Sequence, residues 1–410
     1  MAPEAPMQER SGPHRLRRRP GPGDAVGWIV FLAIIFALTG SMHAYLYVRL
    51  GTAQGLGGGS TWLAGLLIGL WTMTLGGFLL ERVLPPIVAR PLAWVGYVWQ
   101  GTSFLLLSAL LVAEPIRWLP QWLTGYLGVV RLETLAGSDW NGWVTTSAAG
   151  LGLLLSAVAV ISATRGPRLV EVRIPHPGIP PEWAGMRILQ VSDLHVGNTI
   201  RRSYVERLAR RIADLKPDLL ALTGDLVDGQ VARLADELAP LLQVTAPLGI
   251  AFVPGNHEYY AGVEPWIDHM NASGVTVLRN THVIHERNGA PLVVAGVDDF
   301  AARRFGGPGP DLDAALAGTP AGAPVILLAH QPPAIAAARA AGVCLQISGH
   351  THGGQIVPFN LMVRLDQPHV AGLFREGGTW LYVSRGTGWW GPPMRLGAPS
   401  EITLLELVPG

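Results

Sequence analysis

Two hydrophobic patterns divide this 410-residue chain. Ahead of Arg165 the apolar positions form long blocks, and 25–48, 61–80, 91–113 and 143–164 contain no formally charged side chain. Each holds about 20 residues or more, enough for a helix to cross a hydrocarbon core of roughly 30 Å. Beyond Arg165 the apolar runs are short. Those at 187–192, 218–223, 250–254, 325–329 and 344–348 read as buried strands. Between them, 203–215 carries Val205, Leu208, Ile212 and Leu215 at helical spacing, and 233–239 reads as a second helix. Strands alternating with helices imply a parallel sheet, which places a site at the carboxyl ends of its strands.

The pattern predicts four regions: a basic, disordered N-terminus at 1–24, a transmembrane region at 25–165, a linker at 166–184 and an α/β domain at 185–410. Pro167, Pro175, Pro177, Pro180 and Pro181 stiffen the linker, and its brevity holds the α/β domain near the bilayer. Composition agrees, since a chain 49% hydrophobic and 14% charged is too apolar for an ordinary soluble protein. Trp28, Trp62, Trp94 and Trp143 lie near segment ends, where interfacial aromatic residues sit. The stretch 114–142, with Trp118, Trp122 and Tyr126, reads as an amphipathic segment along the outer interface.

With four spans, the arginines at 10, 15, 17, 18, 19, 82, 90, 165 and 168 share one side, against Arg49, Arg117 and Arg131 on the other. The positive-inside rule then puts both termini and the α/β domain in the cytoplasm of a bacterial inner-membrane protein. A twin-arginine export reading of the early basic stretch would put the domain outside. A net charge of +1 gives no long-range attraction to nucleic acid. The single Cys344, inside a strand pattern, reads as a small buried apolar residue.

Chemistry enters through five blocks: Asp193-Leu194-His195, Gly224-Asp225, Gly255-Asn256-His257-Glu258, His330, and Gly349-His350-Thr351-His352. Each begins at the C-terminal end of one of the short strands, so they converge although they span about 160 residues. Together they supply enough oxygen and imidazole ligands for two metal ions. Two ions about 3.5–4 Å apart lower the pKa of a bridging water and clamp the attacking and departing oxygens of a phosphate ester. Asp225 is the natural bridging carboxylate. Imidazole and carboxylate with one amide suit Mn²⁺, Fe or Zn²⁺.

The five blocks, in this order and spacing, resemble those of the calcineurin-like metallophosphoesterase superfamily over residues 185–407. Gly349-His350-Thr351-His352-Gly353-Gly354-Gln355 and Ser384-Arg385-Gly386-Thr387-Gly388 resemble its bacterial membrane-anchored branch. The resemblance implies a four-layer α/β/β/α sandwich behind the transmembrane helices. It implies that Asp193, His195 and His352 hold one metal, that Asn256, His330 and His350 hold the other, and that Asp225 is shared. It also implies that His257 is not a ligand but binds the phosphoryl group or protonates the leaving oxygen. The segments 380–384 and 401–407 fit the second sheet of that fold.

Other residues have ordinary readings beside functional ones. Asp228 is as well placed to cap the next helix as to support the site. Glu258 supports its loop, and Asp298 and Asp299 fit turn chemistry. Arg303 and Arg304, between Phe300 and Phe305, are candidates for phosphate or headgroup binding, with an exposed charged turn as the plain alternative. Trp389 and Trp390 are candidates for an apolar rim, with core packing as theirs. The expected substrate is a phosphoester or pyrophosphate at a membrane interface, with a lipid-linked or nucleotide-linked headgroup. A similar architecture in the family cleaves UDP-linked acylated glucosamine. A membrane sensor or scaffold that binds metal without turnover is the alternative.

Overall fold

The computed structural model describes residues 22–53, 60–80, 84–127 and 139–410. Residues 1–21, with five of the arginines in the sidedness count, lie outside them, as do 54–59, Arg82 and Arg131.

Among the described residues four apolar helices come first: α1 (Pro22–Ala53), α2 (Thr61–Leu80), α3 (Pro86–Leu127) and α4 (Asp139–Thr164). Leu32–Gly51, Ile87–Leu123 and Trp140–Thr164 are long and apolar enough to cross a membrane, and Thr61–Gly76 is a shorter apolar helix among the described residues. Leu46, Leu63, Leu67, Leu106 and Leu110 pack together between them. A Cβ on Gly96 of α3 would lie 2.6 Å from the Met73 carbonyl of α2, so these helices meet backbone to backbone. The sequence pattern separates a span at 91–113 from an interfacial segment, whereas α3 is one helix of 42 residues through Pro91, Pro115 and Pro120. Neighbouring helices in an apolar setting favour continuous helix even where proline removes an amide.

The α/β domain has two six-stranded sheets. The strands are β1 (Arg168–His176), β2 (Arg187–Val191), β3 (Leu219–Leu222), β4 (Ile250–Phe252), β5 (Thr276–Val277), β6 (Thr281–Arg287), β7 (Ala290–Gly296), β8 (Val325–Leu328), β9 (Leu345–Ser348), β10 (Gly372–Glu376), β11 (Thr379–Val383) and β12 (Glu401–Pro409). The sheet orders are β1-β12-β2-β3-β4-β5 and β10-β11-β9-β8-β7-β6. Each is parallel through its centre, with antiparallel pairs β12/β2, β6/β7 and β10/β11.

Their facing sides bury Ile188, Leu219 and Ala251 against Val294, Ile326 and Ile347. Outside the first sheet lie α5 (Arg202–Leu215), α6 (Val231–Leu242), the short α7 (Asn256–Ala261) and α8 (Val263–Ala272). Val205, Leu208, Leu234, Leu238 and Trp266 from these helices cover Leu189, Leu220 and Phe252. On the second sheet, α9 (Leu312–Leu316) and α10 (Ile335–Ala340) cover Val293, Leu327 and Leu381. The result is the expected α/β/β/α sandwich. One more helix, α11 (Phe359–Asp366), follows the last ligand block.

Two expectations are corrected. The segment read as a linker contains β1, a nine-residue strand paired in parallel with β12 from Arg168↔Glu401 to His176↔Pro409. β12 itself belongs to the first sheet, between β1 and β2, and not to the second. Both errors have one cause, because β1 and β12 are distant in sequence and a strand's own residues do not say which strand completes its hydrogen bonds. The bundle is also packed onto the domain. Leu105 of α3 and Ala159 of α4 are buried against Ile356 and Met394, and the Arg395 amide donates to the Ala159 carbonyl at 2.9 Å.

Candidate metal centre

The turns that leave β2, β3 and β9 aim the site. Asp193, His195, Asp225, His350 and His352 all have left-handed backbone, with φ between 51° and 73°. Such conformations cost about 1–3 kcal/mol each and persist where the surroundings fix them. Here the fixing groups are visible. The fully buried Glu258 carboxylate accepts from the amides of Asp225 (2.9 Å), Leu226 (2.7 Å) and Gly255 (2.7 Å). Asp193 accepts from the His350 amide at 2.9 Å, and Asp225 Oδ1 accepts from the His257 amide at 2.8 Å. Gly349 is required by close approach, since a Cβ there would stand 2.0 Å from Ser192 Oγ and 2.2 Å from Asp193 Oδ2.

Three clusters result among the described residues, Asp193 with His195 and His352, Asp225 with His330 and His350, and His195 with Asp228 and His257; within each, the ligand atoms lie within 4.8 Å of one another. His195 Nε2 is 3.0 Å from His352 Nε2, and His330 Nε2 is 3.2 Å from Asp225 Oδ2 and 3.3 Å from His350 Nδ1. Outer partners set the rings. His330 Nδ1 meets the Thr223 carbonyl at 2.7 Å, and His195 Nδ1 meets Asp228 Oδ1 at 2.7 Å. Both contacts place a proton on Nδ1 and turn Nε2 inward, the nitrogen a metal ligand requires; burial lowers the His330 pKa, but the Asp225 carboxylate beside it outweighs burial and raises it well above its ordinary value.

The donor set fits divalent cations on an independent observation. Asn256 Oδ1 is buried without a hydrogen-bond partner, an arrangement that costs about 1–3 kcal/mol unless something else satisfies the oxygen. Electrostatics agrees. Burial, reinforced by nearby Asp225, pushes Asp193 up, although His330 and His195 oppose it. Burial also acts to raise Asp225, but His330 and His257 hold its carboxyl well below the usual range. His350 is pushed down to about 4 by burial and by His330, which keeps it a neutral donor.

His257 stands beside the first two clusters. Its Nδ1 lies 2.7 Å from Asp228 Oδ1, the oxygen that also receives His195. Burial lowers its pKa, but the Asp225 and Asp228 carboxylates outweigh burial and raise it to about 9. Asp228 therefore supports the site and does not cap α6, whose N-terminal cap is Gln230. Glu258 and Asp299 have the loop roles expected, with Asp299 accepting from the Ala301 amide at 2.7 Å. Asp298 receives Tyr259 and Arg279.

Of the weaker candidates, Arg304 lines a cleft of about 250 Å³ with Asn256, Tyr260, Phe300, Ala301, Gln331 and His350. Arg303 is exposed and its Nε meets the Pro308 carbonyl at 3.4 Å. Trp389 is corrected as a rim residue. It is 3% exposed in the core of the first sheet, edge-on to Tyr204 and bonded to Thr199 Oγ1. Trp390 points the other way, 52% exposed, with its ring centre 6.0 Å from that of His257. Arg395 escaped the sequence reading. It is fully buried, burial lowers its pKa to about 10, and its Nη2 lies 3.1 Å from His352 Nδ1. A lone arginine 43 residues after a ligand carries no sequence signal of that contact.

A family model described as calcineurin-like phosphoesterase matches residues 186–354, which contain all five blocks. An uncharacterized metallophosphoesterase of Aquifex aeolicus is 36% identical over 231 residues, covering 55% of this chain and 87% of that protein. The chain belongs to the calcineurin-like phosphoesterase family. A Danio rerio protein named transmembrane protein with metallophosphoesterase domain is 39% identical over 63% of this chain and 62% of its own length. An uncharacterized metallophosphoesterase of Helicobacter pylori is 38% identical over 55% of this chain and 60% of its own. The chain thus matches about three fifths of these two relatives. Similar proteins occur in bacteria and in animals.

Proposed function

We propose that the chain is a membrane-anchored two-metal phosphoesterase acting on a phosphoester or pyrophosphate presented at the bilayer surface, with a lipid-linked or nucleotide-linked headgroup. Asp193, His195 and His352 would hold one divalent cation, Asn256, His330 and His350 the other, and Asp225 both. Mn²⁺, Fe and Zn²⁺ all suit these donors. When bound, the pair supplies an activated water and positive charge over the phosphoryl oxygens.

The chain's own residues do the rest. His257 carries a proton on a ring held by Asp228 and delivers it to the departing oxygen. Its amide also fixes Asp225 Oδ1. Were Asp225 engaged by a cation, the larger of the two carboxylate contributions to His257 would fall away, and His257 would lie nearer neutral pH, where an acid is most effective. Arg304, which lines the cleft, would meet a phosphate oxygen there.

The observation that carries the reading is the buried Asn256 oxygen without a partner, on a residue that lines the same cleft as His350 of the second Asp/His cluster. The anchoring reading rests on the apolar helices and their packing against the domain. Four crossings with the domain in the cytoplasm fit the arginines at 90, 165 and 168. The cluster of Arg49 and Arg117 on Glu114 (2.8 and 3.2 Å) then marks the opposite side.

Metal analysis combined with hydrolysis of monoesters, diesters and nucleotide pyrophosphates in Mn²⁺ tests this. Two bound metals with no turnover on any of them would favour a sensor or scaffold.

A further inference from the structure

Helix α11 begins seven residues after His352 and has no buried residue. Leu361, Met362 and Leu365 are 59%, 60% and 81% exposed, and at 3.6 residues per turn they share one face spanning about 100°. Val357, just before the helix, is exposed too. Soluble surfaces rarely gather such residues without a partner.

The position of the helix identifies that partner. Phe359 at its start meets Phe104 of α3 edge-on, with ring centres 6.3 Å apart, and Ile356 is buried with Leu105, Ala159 and Met394. Phe104 precedes Glu114 by ten residues, about 15 Å along the helix. Ala159 precedes Arg165 by six residues, about 9 Å, so with the Glu114 cluster on the opposite side and Arg165 on the catalytic side, the contacts of Phe359 and Ile356 lie inside the hydrocarbon core and nearer its catalytic boundary. The apolar face of α11 therefore continues the apolar surface of the bundle at lipid depth. Arg364, exposed on the same helix, suits the phosphate level above it.

We propose that α11 lies in the leaflet on the catalytic side of the membrane, with Leu361, Met362 and Leu365 among the acyl chains, and so seats the metal centre at headgroup level. This rests on the anchoring reading above. The connection to the site is short. Asn360 packs against Gly354, where a Cβ would fall 2.3 Å from the Asn360 Cα. The Gln355 side chain accepts from the Trp390 amide and donates to its carbonyl, both at 2.9 Å, tying the exposed Trp390 to the base of the helix. Trp390 in turn faces His257. A phosphate group on a lipid in that leaflet would meet the centre without leaving the bilayer.

The test uses the full chain in phosphatidylcholine–phosphatidylglycerol nanodiscs, with Cys344→Ala as background and a nitroxide on Leu365→Cys, Leu154→Cys of α4 or Arg173→Cys of β1. Collision rates with oxygen and with a water-soluble nickel chelate report depth. The expected result is oxygen-dominated relaxation at 365 and 154 and nickel-dominated relaxation at 173. A nickel-dominated 365 beside an oxygen-dominated 154 overturns the inference and leaves the anchor intact. A nickel-dominated 154 removes the anchor and the inference with it. Spin–spin broadening at 365 would assign the face to a second copy of the chain and also overturn the inference. In a second arm, Leu361→Glu/Leu365→Glu should leave hydrolysis of a soluble aryl phosphodiester unchanged. It should lower release of phosphate from phosphatidic acid in phosphatidylcholine vesicles by about tenfold or more, the scale of 1.4 kcal/mol. Equal loss on both substrates would make α11 a support for the metal centre and overturn the membrane role.

Discussion

Asp228→Asn isolates the charge that serves two histidines at once. Asp228 Oδ1 lies 2.7 Å from both His195 Nδ1 and His257 Nδ1. An amide oxygen in the same place still accepts both protons, so the geometry survives and only the charge is lost. Charge-assisted hydrogen bonds are roughly twice as strong as neutral ones, about 1.5–3 against about 1 kcal/mol. Two such bonds lose about 2 kcal/mol together, or about 30-fold in the quantity they support. That agrees with the 10–100-fold range for outer partners of metal ligands.

The sign of the pH effect follows from His257. Its pKa is raised to about 9, so the stabilisation of its protonated form is fully present below about 6.5 and is lost as pH rises through the folded value. Removing the Asp228 charge lowers that value, and the alkaline limb of the rate profile must move to lower pH. The assay is kcat against pH for a soluble alkyl phosphodiester in Mn²⁺, whose leaving oxygen needs the proton, with metal content measured on the same samples. An unmoved alkaline limb together with an unchanged rate would refute the role of Asp228 in holding the acid. Loss of one metal with the limb unmoved would assign it to His195 alone.

Other outcomes follow from the same geometry. Asp225→Asn removes the shared carboxylate and should abolish turnover and reduce metal content below two per chain, read by elemental analysis. His257→Ala should keep both metals and lower kcat by about 10²–10⁴, with p-nitrophenyl esters suffering less than alkyl esters because their leaving group needs no proton. A metal lost from that variant would contradict its assignment as the acid. Trp389→Ala should cost about 3–5 kcal/mol in unfolding free energy, as for other buried tryptophans, whereas Trp390→Ala should leave the thermal transition nearly unchanged. Comparable losses in the two variants would refute their opposite placement.

Much of the sandwich was legible because its central strands are buried on both faces and therefore read as short continuous apolar runs. The ligand blocks were legible because each has a strand end before it and a residue type that metal chemistry demands. Asp228 was half legible, three residues after Asp225 in a turn equally suited to capping, and only the meeting of His195 with His257 decided between them. β1 was missed and β12 was given to the wrong sheet because the pairing of residues 168–176 with 401–409 joins segments distant in sequence, and a strand pattern does not name its neighbour. Trp389 and Trp390 are neighbours in sequence, but the backbone between them sends one ring into the core and the other toward His257.

By itself the sequence determined the class of chemistry and the existence of two kinds of material, because ligand identity and hydrophobic run length are local properties. The tertiary structure decided what acts together. Left-handed turns at Asp193, His195, Asp225, His350 and His352 aim side chains that sequence order leaves up to about 160 residues apart. The shared Asp228 oxygen, the buried Arg395 beside His352 and the apolar helix α11 against the bundle all depend on contacts between distant segments. Those contacts exist only once both sheets and the helices have packed, and no periodicity in the chain encodes them.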